Sequence, residues 1–325
     1  MNKSQYSRNI WIVYLFNFLN GMMFFIPIYT LYLQHELFTA LNVAIILAIR
    51  TFSGMLFEIP FGAVADLFGR KKALMMSGVM CIIALIFLSI GGSMLMFILY
   101  AVIYALGRSL LNGTDTALMF DSLKVMRRET NFQKIIAINN GSWQTGAAIG
   151  SLIGGVLAAI SLRLPVLYTF IPFTIALIIT FFINEPPYEK AEHRNVFLHM
   201  HDTAKILINQ GLLTLFIATI LLFAFSESSF NFNSIFLNFK QIPLIYFGIV
   251  FALCFLLGFL SSFITSHYLN KKFGDKNMLL LSIIVSPLMT IFATLTQGIY
   301  CITFIVLSSI FFTVRLPIIM DLYNK

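Results

Sequence analysis

The chain has 325 residues, of which 59% are hydrophobic and only 10% are charged. A soluble domain carries roughly 25% charged residues, so this chain has too few charges to cover a globule in water, and a bilayer is its natural solvent. The net charge of +8 would also suit nucleic acid, but the placement of the basic residues along the chain argues against that partner.

Ten apolar segments are long enough to cross a bilayer, which takes about 20 residues per helix. They predict an all-α, polytopic membrane protein. The first segment is about twice as long as the apolar part of a signal peptide, so we expect no cleavable leader. In chain order the segments cover about residues 9–33, 41–65, 73–91, 94–123, 135–160, 163–184, 211–237, 243–269, 278–297 and 298–323.

The basic residues predict the orientation of the segments. Lys and Arg accumulate in cytoplasmic loops. With a cytoplasmic N-terminus, sixteen of the 21 Lys and Arg residues fall in inside segments, and only Arg163 and Lys240 fall in outside loops. The pattern predicts an integral protein of the plasma membrane with both termini in the cytoplasm. It also explains the positive charge through contact with the lipid surface, without nucleic acid.

One long loop divides the chain. We expect a six-helix bundle over residues 1–184, a cytoplasmic linker over 185–210 and a second bundle of four helices over 211–325. His193, His199 and His201 lie in the linker and raise the question of a metal site, but a solvated linker is the favoured interpretation. No CxxC pair occurs, so we predict neither a metal nor a cofactor.

A glycine and charge motif follows the second segment. It consists of Gly62, Asp66, Gly69, Arg70 and Lys71 in the spacing G-x-x-x-D-x-x-G-R-K. Gly62 allows another helix to approach closely, and the acid near the helix end can meet a donor or the positive N-terminus of a neighbouring helix. The motif matches the signature between helices two and three of the major facilitator superfamily, and the chain is identified as a member of that family.

The resemblance implies a secondary transporter in which two helix bundles rock around a site near the middle of the membrane. It also implies that Asp121 pairs with Arg70 in a cytoplasmic latch, which Asp66 extends to helix eleven. The family usually has twelve helices, whereas this sequence stops at the end of the tenth. A truncated remnant that inserts into the membrane but transports nothing is therefore the alternative function.

Four glycines mark the fifth segment. Gly146, Gly150, Gly154 and Gly155 resemble the antiporter motif G-x-x-x-G-P-x-x-G-G, with Ser151 in the place of the proline. This resemblance favours export. A stripe of small residues that lets helices pack closely explains the same glycines equally well.

Ionisable residues inside the segments are candidates for function, because each costs ~2.5–3.5 kcal/mol on insertion. In the fourth segment Asn112 and Asp115 follow Arg108 at i+4 and i+7, on one face of a continuous helix. We expect this face to line a central cavity. An Arg–carboxylate pair there could bind an anion or couple to a proton, and a static ion pair is the alternative.

The second segment carries Arg50 and Glu58. Glu58 lies about 12 Å from Asp66 along the helix, too deep to reach the interface easily. Loss of water favours a neutral carboxyl group, which suits proton exchange. An ion pair with Arg50 or Arg108 would instead keep the carboxylate charged, and the sequence leaves both readings open.

Polar residues also mark the first, seventh and tenth segments. The seventh contains Glu227 with Asn231 four residues on, and the first contains Asn17. The resemblance implies that these two segments are equivalent helices that line the cavity. The resemblance also makes the tenth segment the counterpart of the fourth in the repeated second half. Arg315 in the tenth segment is therefore a candidate for the position that corresponds to Arg108.

Together these features predict proton-driven export of a small, drug-like molecule by alternating access. Glu58, Asp115 and Glu227 are the candidates for proton coupling, and the three embedded arginines are candidates for pairing or anion binding. The sequence contains neither HExxH nor GxSxG, so we do not expect an enzyme. It names neither the substrate nor the oligomeric state.

Overall fold

The computed structural model describes residues 3–187, 213–264 and 274–315. Within these ranges all regular secondary structure is helical, which confirms the predicted all-α bundle. Each of the ten predicted segments coincides with one or two helices. The helices are α1 (Lys3–Gly21), α2 (Tyr29–Leu37), α3 (Ala40–Phe68), α4 (Arg70–Ile90), α5 (Met94–Leu111), α6 (Thr114–Met126), α7 (Phe132–Ile160), α8 (Leu164–Tyr168), α9 (Phe170–Thr180), α10 (Leu213–Phe239), α11 (Leu244–Ile264), α12 (Asp275–Leu295) and α13 (Tyr300–Thr313).

The helices have the length and surface of membrane spans. Seven segments of the described chain are long and apolar enough to cross a bilayer, and Leu164–Thr180 and Tyr300–Thr313 are shorter apolar helical stretches. Large apolar side chains such as Phe52, Ile160 and Leu295 are mostly exposed. Lipid hydrocarbon accommodates such apolar side chains. It can also surround a helix, because a helix satisfies its own backbone hydrogen bonds.

Three predicted spans are broken rather than continuous, and the sixth is interrupted only at Thr169, between α8 and α9. The first is divided into α1 and α2 by residues 22–28, which include a short 3₁₀ turn at Ile26–Ile28. The fourth is divided at Asn112 and Gly113, and Gly113 adopts a φ of +77°. Arg108 and Asp115 therefore lie on different helices, and the expectation that one continuous helix face carries both is wrong.

The bundle has two ends, which we name by their turns. The motif end carries the turn from α3 to α4 at Gly69, and the far end carries the turns at residues 38–39 and 91–93. At the far end the Tyr32 hydroxyl donates to the Leu88 carbonyl oxygen over 3.1 Å, and the Glu36 carboxylate accepts the Gly92 N–H over 3.1 Å. These contacts hold the ends of α2, α4 and α5 together.

Helix α7 belongs to the first nine helices and contacts both the other members of that group and the last four helices. A Cβ atom on Gly146, Gly150 or Gly154 would collide with the backbone at Phe18, Met22 or Phe24. On another face of α7, a Cβ on Gly155 would lie 2.8 Å from the Gly248 Cα of α11. The four glycines thus let α7 pack at backbone distance against the α1 region on one side and against α11 on the other.

The Gly154→Ala substitution tests this packing. We expect it to lower the stability of the detergent-solubilised protein by about 1–3 kcal/mol, because the new methyl group forces the backbone at Phe24 to move. Gly54→Ala is the matched control, since nothing lies within 4 Å of its Cβ position. Thermal unfolding measures both. An unchanged midpoint for Gly154→Ala would contradict the close approach.

Candidate functional site

Two cavities lie between the first nine helices and the last four. The central chamber has a volume of about 290 Å³ and is lined by residues including Tyr29, Arg50 and Glu227. The motif-end cavity has a volume of about 670 Å³ and is lined by residues including Asn17 and Asp115. Both linings contain Trp143, Gln144, Phe312 and Thr313. The two spaces therefore adjoin along one path.

Both helix groups build this path. The first nine helices contribute residues from α2, α3, α5, α7 and the segment between α1 and α2 to the central chamber, and the last four contribute residues from α10, α11 and α13. The motif-end cavity takes its first-group residues from α1, α5, α6 and α7, together with the Asn112–Gly113 break. A relative movement of the groups would therefore change both cavities.

An ion pair crosses the central chamber. Arg50 Nη2 of α3 lies 3.9 Å from Glu227 Oε1 of α10, with 21% and 59% of the two side chains exposed. The Arg50 guanidinium also lies 5.3 Å from the centre of the Tyr29 ring, within range of a cation–π interaction. Asn231 Nδ2 donates to Glu227 Oε1 over 3.0 Å. The structure thus brings together Arg50, Glu227 and Asn231 from different helix groups.

The motif-end cavity contains an amide–carboxylate cluster. Asn17 and Asn139 each donate from Nδ2 to Asp115 Oδ2, over 2.8 Å and 3.1 Å, and Asn17 also donates to Asn139 Oδ1. The Thr116 N–H donates to Asp115 Oδ1 over 2.7 Å. All these partners belong to the first nine helices. The cluster therefore holds α1, α6 and α7 together without joining the two groups.

Arg108 and Asn112 line the same cavity as Asp115. Within the described part of the chain, however, Arg108 has no carboxylate within ion-pair distance. The Arg108–carboxylate pair is thus not formed in this structure, because the break at Gly113 moves Asp115 to another helix, where the asparagine amides surround it.

Two predicted residues lie outside both linings. Glu58 is exposed on α3, and among the described side chains it forms neither an ion pair nor a hydrogen bond, so the proposed pairs with Arg50 and Arg108 are absent. Arg315 is 2% exposed and donates to the Ser282 carbonyl oxygen of α12 over 2.7 Å. Its guanidinium also lies 5.9 Å from the centre of the ring of Phe312. Arg315 therefore contacts Phe312, which lines both cavities, but does not line either cavity itself.

The motif end contains a second set of charged contacts. Arg70 Nε lies 3.5 Å from Asp121 Oδ2, which brings the two expected latch residues together. The Glu185 carboxylate accepts the backbone N–H groups of Arg70 and Lys71 over 2.7 Å and 2.8 Å. An acid is stabilised at a helix N-terminus, where the first N–H groups lack helical partners. The carboxylate also occupies the space beside Gly69, whose φ is +101°.

The role of Glu185 is not predicted by any of the sequence motifs. The one signal in the sequence is its position as an acid directly after the sixth span, on the same predicted side of the membrane as the basic motif turn. The surroundings of Gly62, the side chain of Asp66 and the three linker histidines lie outside the part of the chain that the structure describes. Among the described residues no group of three His, Cys, Asp or Glu side chains could hold a metal ion.

Comparisons with known proteins decide the family. The sequence profile of the Major Facilitator Superfamily matches residues 10–325. The chain belongs to the major facilitator superfamily. This match confirms the resemblance seen in the motif and places the chain in a family of transporters rather than of enzymes. It also establishes an integral membrane protein.

A curated relative is similar over part of the sequence. An uncharacterized MFS-type transporter of Bacillus subtilis, YxaM, is 28% identical over 199 residues, which are 60% of this chain. The matched region is 48% of that protein, so the chain spans about half the length of the curated relative that it matches.

Solved structures share the fold. The nucleoside transporter NupG matches 98% of this chain and 80% of its own, with a TM-score of 0.77 and 16% identity. A bacterial homologue of the human lysosomal transporter Spinster, inward-facing and unoccupied, gives a TM-score of 0.72 over 99% of this chain and 75% of its own, at 16% identity. The xylose transporter XylE from E. coli, in a partially occluded inward-open conformation, gives 0.69 over 97% and 87%, at 14% identity.

The Glu185→Gln substitution tests the helix cap. Removing the charge weakens two hydrogen bonds at the start of α4, so we expect a loss of about 1 kcal/mol in stability. Glu129→Gln is the control, because that exposed acid belongs to the 3₁₀ turn Glu129–Asn131. Chemical denaturation in detergent compares the two. Equal stability of both variants would argue against the cap.

The Asn139→Ala substitution tests the amide–carboxylate cluster. It deprives Asp115 and Asn17 of a partner at a buried position, and we expect a cost of about 1–3 kcal/mol. The neighbouring Asn140→Ala change is the control, since Asn140 is exposed on the same cavity wall. A thermal shift that is no larger for Asn139→Ala than for Asn140→Ala would contradict the network.

Proposed function

We propose that the protein is a secondary active transporter that exports a small molecule by alternating access and is driven by protons. The supporting observation is a path between two helix groups that is closed at the far end and wide at the motif end. In this proposal the six-helix bundle of residues 1–184 and the bundle of residues 211–325 rock about the close contact of α7 with α11 at Gly155 and Gly248, which we call the α7–α11 seam. The linker of residues 185–210 connects them.

The far end is closed by hydrogen bonds between the groups. Thr30 Oγ1 of α2 lies 2.6 Å from Ser234 Oγ of α10, and the Leu31 N–H donates to the same oxygen over 3.3 Å. Thr30 and Ser234 are both buried. At the motif end, by contrast, Asn112 and Asn140 line the wide cavity and are exposed. The structure therefore suits a state open to one side of the membrane.

Among the three carboxylates proposed for coupling, Glu227 has the best position. Only Glu227 contacts the opposite helix group, through Arg50. Protonation would remove its charge and so weaken the attraction across the chamber, which lets the groups separate at the far end. The partners of Asp115 all lie in its own group, and Glu58 lies outside both linings, so neither residue offers the same link.

We further propose that transport runs outward across the plasma membrane. We place the motif end in the cytoplasm of a cell with a proton gradient across its plasma membrane, following the distribution of basic residues. Because the four glycines of α7 are all occupied in helix packing, they lend export no support beyond the motif resemblance. Two structural neighbours are named for nucleosides and xylose, which supports a small polar solute as cargo.

A double cysteine variant tests the far-end closure. In a background without native cysteines, Thr30→Cys and Ser234→Cys should form a disulfide readily, because their side-chain oxygens already lie 2.6 Å apart. Proteoliposomes with a pH gradient then report the movement of radiolabelled uridine, xylose and ethidium. We expect movement of at least one solute, abolished by oxidation and restored by reduction. No movement of any solute, together with a far end that never opens, would favour the transport-inactive alternative.

The Glu227→Gln substitution tests proton coupling without a known substrate. Between pH 7 and about pH 4, a range that spans the pH at which glutamates ordinarily take up a proton, the crosslink of the double cysteine variant should form less readily at the acid end in the parent, because protonated Glu227 no longer attracts Arg50. In Glu227→Gln we expect this change to shrink ~5-fold or more, the scale of a coupling free energy of ~1 kcal/mol. The variant carries the same thiols, so it also corrects for the pH dependence of oxidation itself.

Asp115→Asn is the matched control, because it removes a cavity carboxylate that contacts only its own group. It should keep the parent's pH dependence. If Asp115→Asn abolished that dependence while Glu227→Gln preserved it, the coupling role would belong to Asp115 and the assignment to Glu227 would be wrong.

A further inference from the structure

The central chamber contains buried polar atoms that the protein does not fully satisfy. Trp143 Nε1 and Gln144 Oε1 lack a hydrogen-bond partner among the described residues, and the buried hydroxyls of Tyr29 and Tyr100 adjoin each other and Arg50 without forming a hydrogen bond of ordinary geometry. Tyr29 is 5% exposed and Tyr100 is fully buried. An unsatisfied buried polar group costs ~1–3 kcal/mol, and all four of these atoms belong to residues that line one chamber. Such a concentration points to a polar ligand.

The chemistry of the four atoms limits what that ligand offers. The two phenol O–H groups and the indole N–H can donate, whereas Gln144 Oε1 can only accept. A complementary ligand therefore carries more acceptors than donors. The chamber wall is also strongly aromatic, since nine of its eighteen lining residues are Phe, Tyr or Trp. Aromatic side chains favour a flat ring that can stack on their faces or meet their edges.

The charges of the chamber nearly cancel. Arg50 and Glu227 are the charged residues in its lining, and they lie opposite each other at 3.9 Å. A cation would be repelled by Arg50 and an anion by Glu227, so neither ion gains the full attraction of its partner. The volume of about 290 Å³ lies just below the ~300–1,000 Å³ range of small-molecule sites. Both features favour a compact, uncharged ligand.

We propose that the substrate is a compact, uncharged heteroaromatic molecule with oxygen or nitrogen acceptors on the edge of its ring, bound between Tyr29, Tyr100, Trp143 and Gln144. This inference rests on the proposed transport function, because it names the cargo of the same path. It excludes lipophilic cations as the preferred substrates.

The protein supplies its own reporter for this site. It contains two tryptophans, Trp143 in the chamber wall and Trp11 on α1, which is 70% exposed. In the full chain with Trp11→Phe, Trp143 is therefore the one remaining tryptophan, and the Tyr29 and Tyr100 variants assign its quenching to the chamber, because these tyrosines line the chamber and not the motif-end cavity. Uridine is the heteroaromatic probe, xylose is a ring without an aromatic face, and tetraphenylphosphonium is a lipophilic cation.

We expect uridine to quench Trp143 fluorescence saturably and more tightly than the other two probes. Tyr29→Phe and Tyr100→Phe should each weaken uridine about two- to tenfold, the effect of one neutral hydrogen bond. Tyr32→Phe is the matched control and should leave affinity unchanged. Tyr32 lies on the same helix as Tyr29, but its hydroxyl donates to the Leu88 carbonyl oxygen and does not line the chamber.

Two results would overturn the inference. One is saturable quenching by tetraphenylphosphonium and none by uridine, which would assign the chamber to a different class of substrate. The other is uridine affinity that is equal in Tyr29→Phe, Tyr100→Phe and the parent. Neither result would affect the transport proposal, because the pH-dependent opening of the far end is measured without any ligand.

Discussion

The backbone contact of α7 with the α1 region on one side and α11 on the other determines where the path runs. Because Gly155 and Gly248 bring α7 and α11 together, the two helix groups share a narrow seam. Away from this seam the two groups enclose the cavities and meet again where Thr30 of α2 contacts Ser234 of α10. The Arg50–Glu227 pair lies where the two groups face each other across the chamber. A seam that stays closed while contacts beside it break is the geometry that a rocking movement requires.

Much of this arrangement could be predicted from the sequence. The positions of the membrane spans follow from the apolar segments, since a backbone in hydrocarbon must satisfy its own hydrogen bonds. Arg50 and Glu227 were predicted as functional candidates because a charge inside a membrane span is costly. The structure brings these two residues together across the chamber. The spacing of the α7 glycines indicated close packing, although it could not say that two different helices would be the partners.

The rest depended on features that periodicity cannot encode. Glycine is tolerated inside membrane helices, so nothing in the pattern showed that Gly113 would end α5 and separate Arg108 from Asp115. Depth along α3 was estimated for Glu58, but its direction around the helix was not, and Glu58 lies outside the cavities. Glu185 caps a helix more than a hundred residues earlier in the chain, and a contact of that range has no local signature.

Paired spin labels at the two ends of the bundle test alternating access most directly. In a background without the three native cysteines, one pair at Ala40 and Gln297 reports the far end, and another at Lys134 and Asn277 reports the motif end. On lowering the pH, the distance at the far end should grow while the distance at the motif end shrinks. Distances that stay constant at both ends, or that grow together, would contradict a rocking movement about the α7–α11 seam.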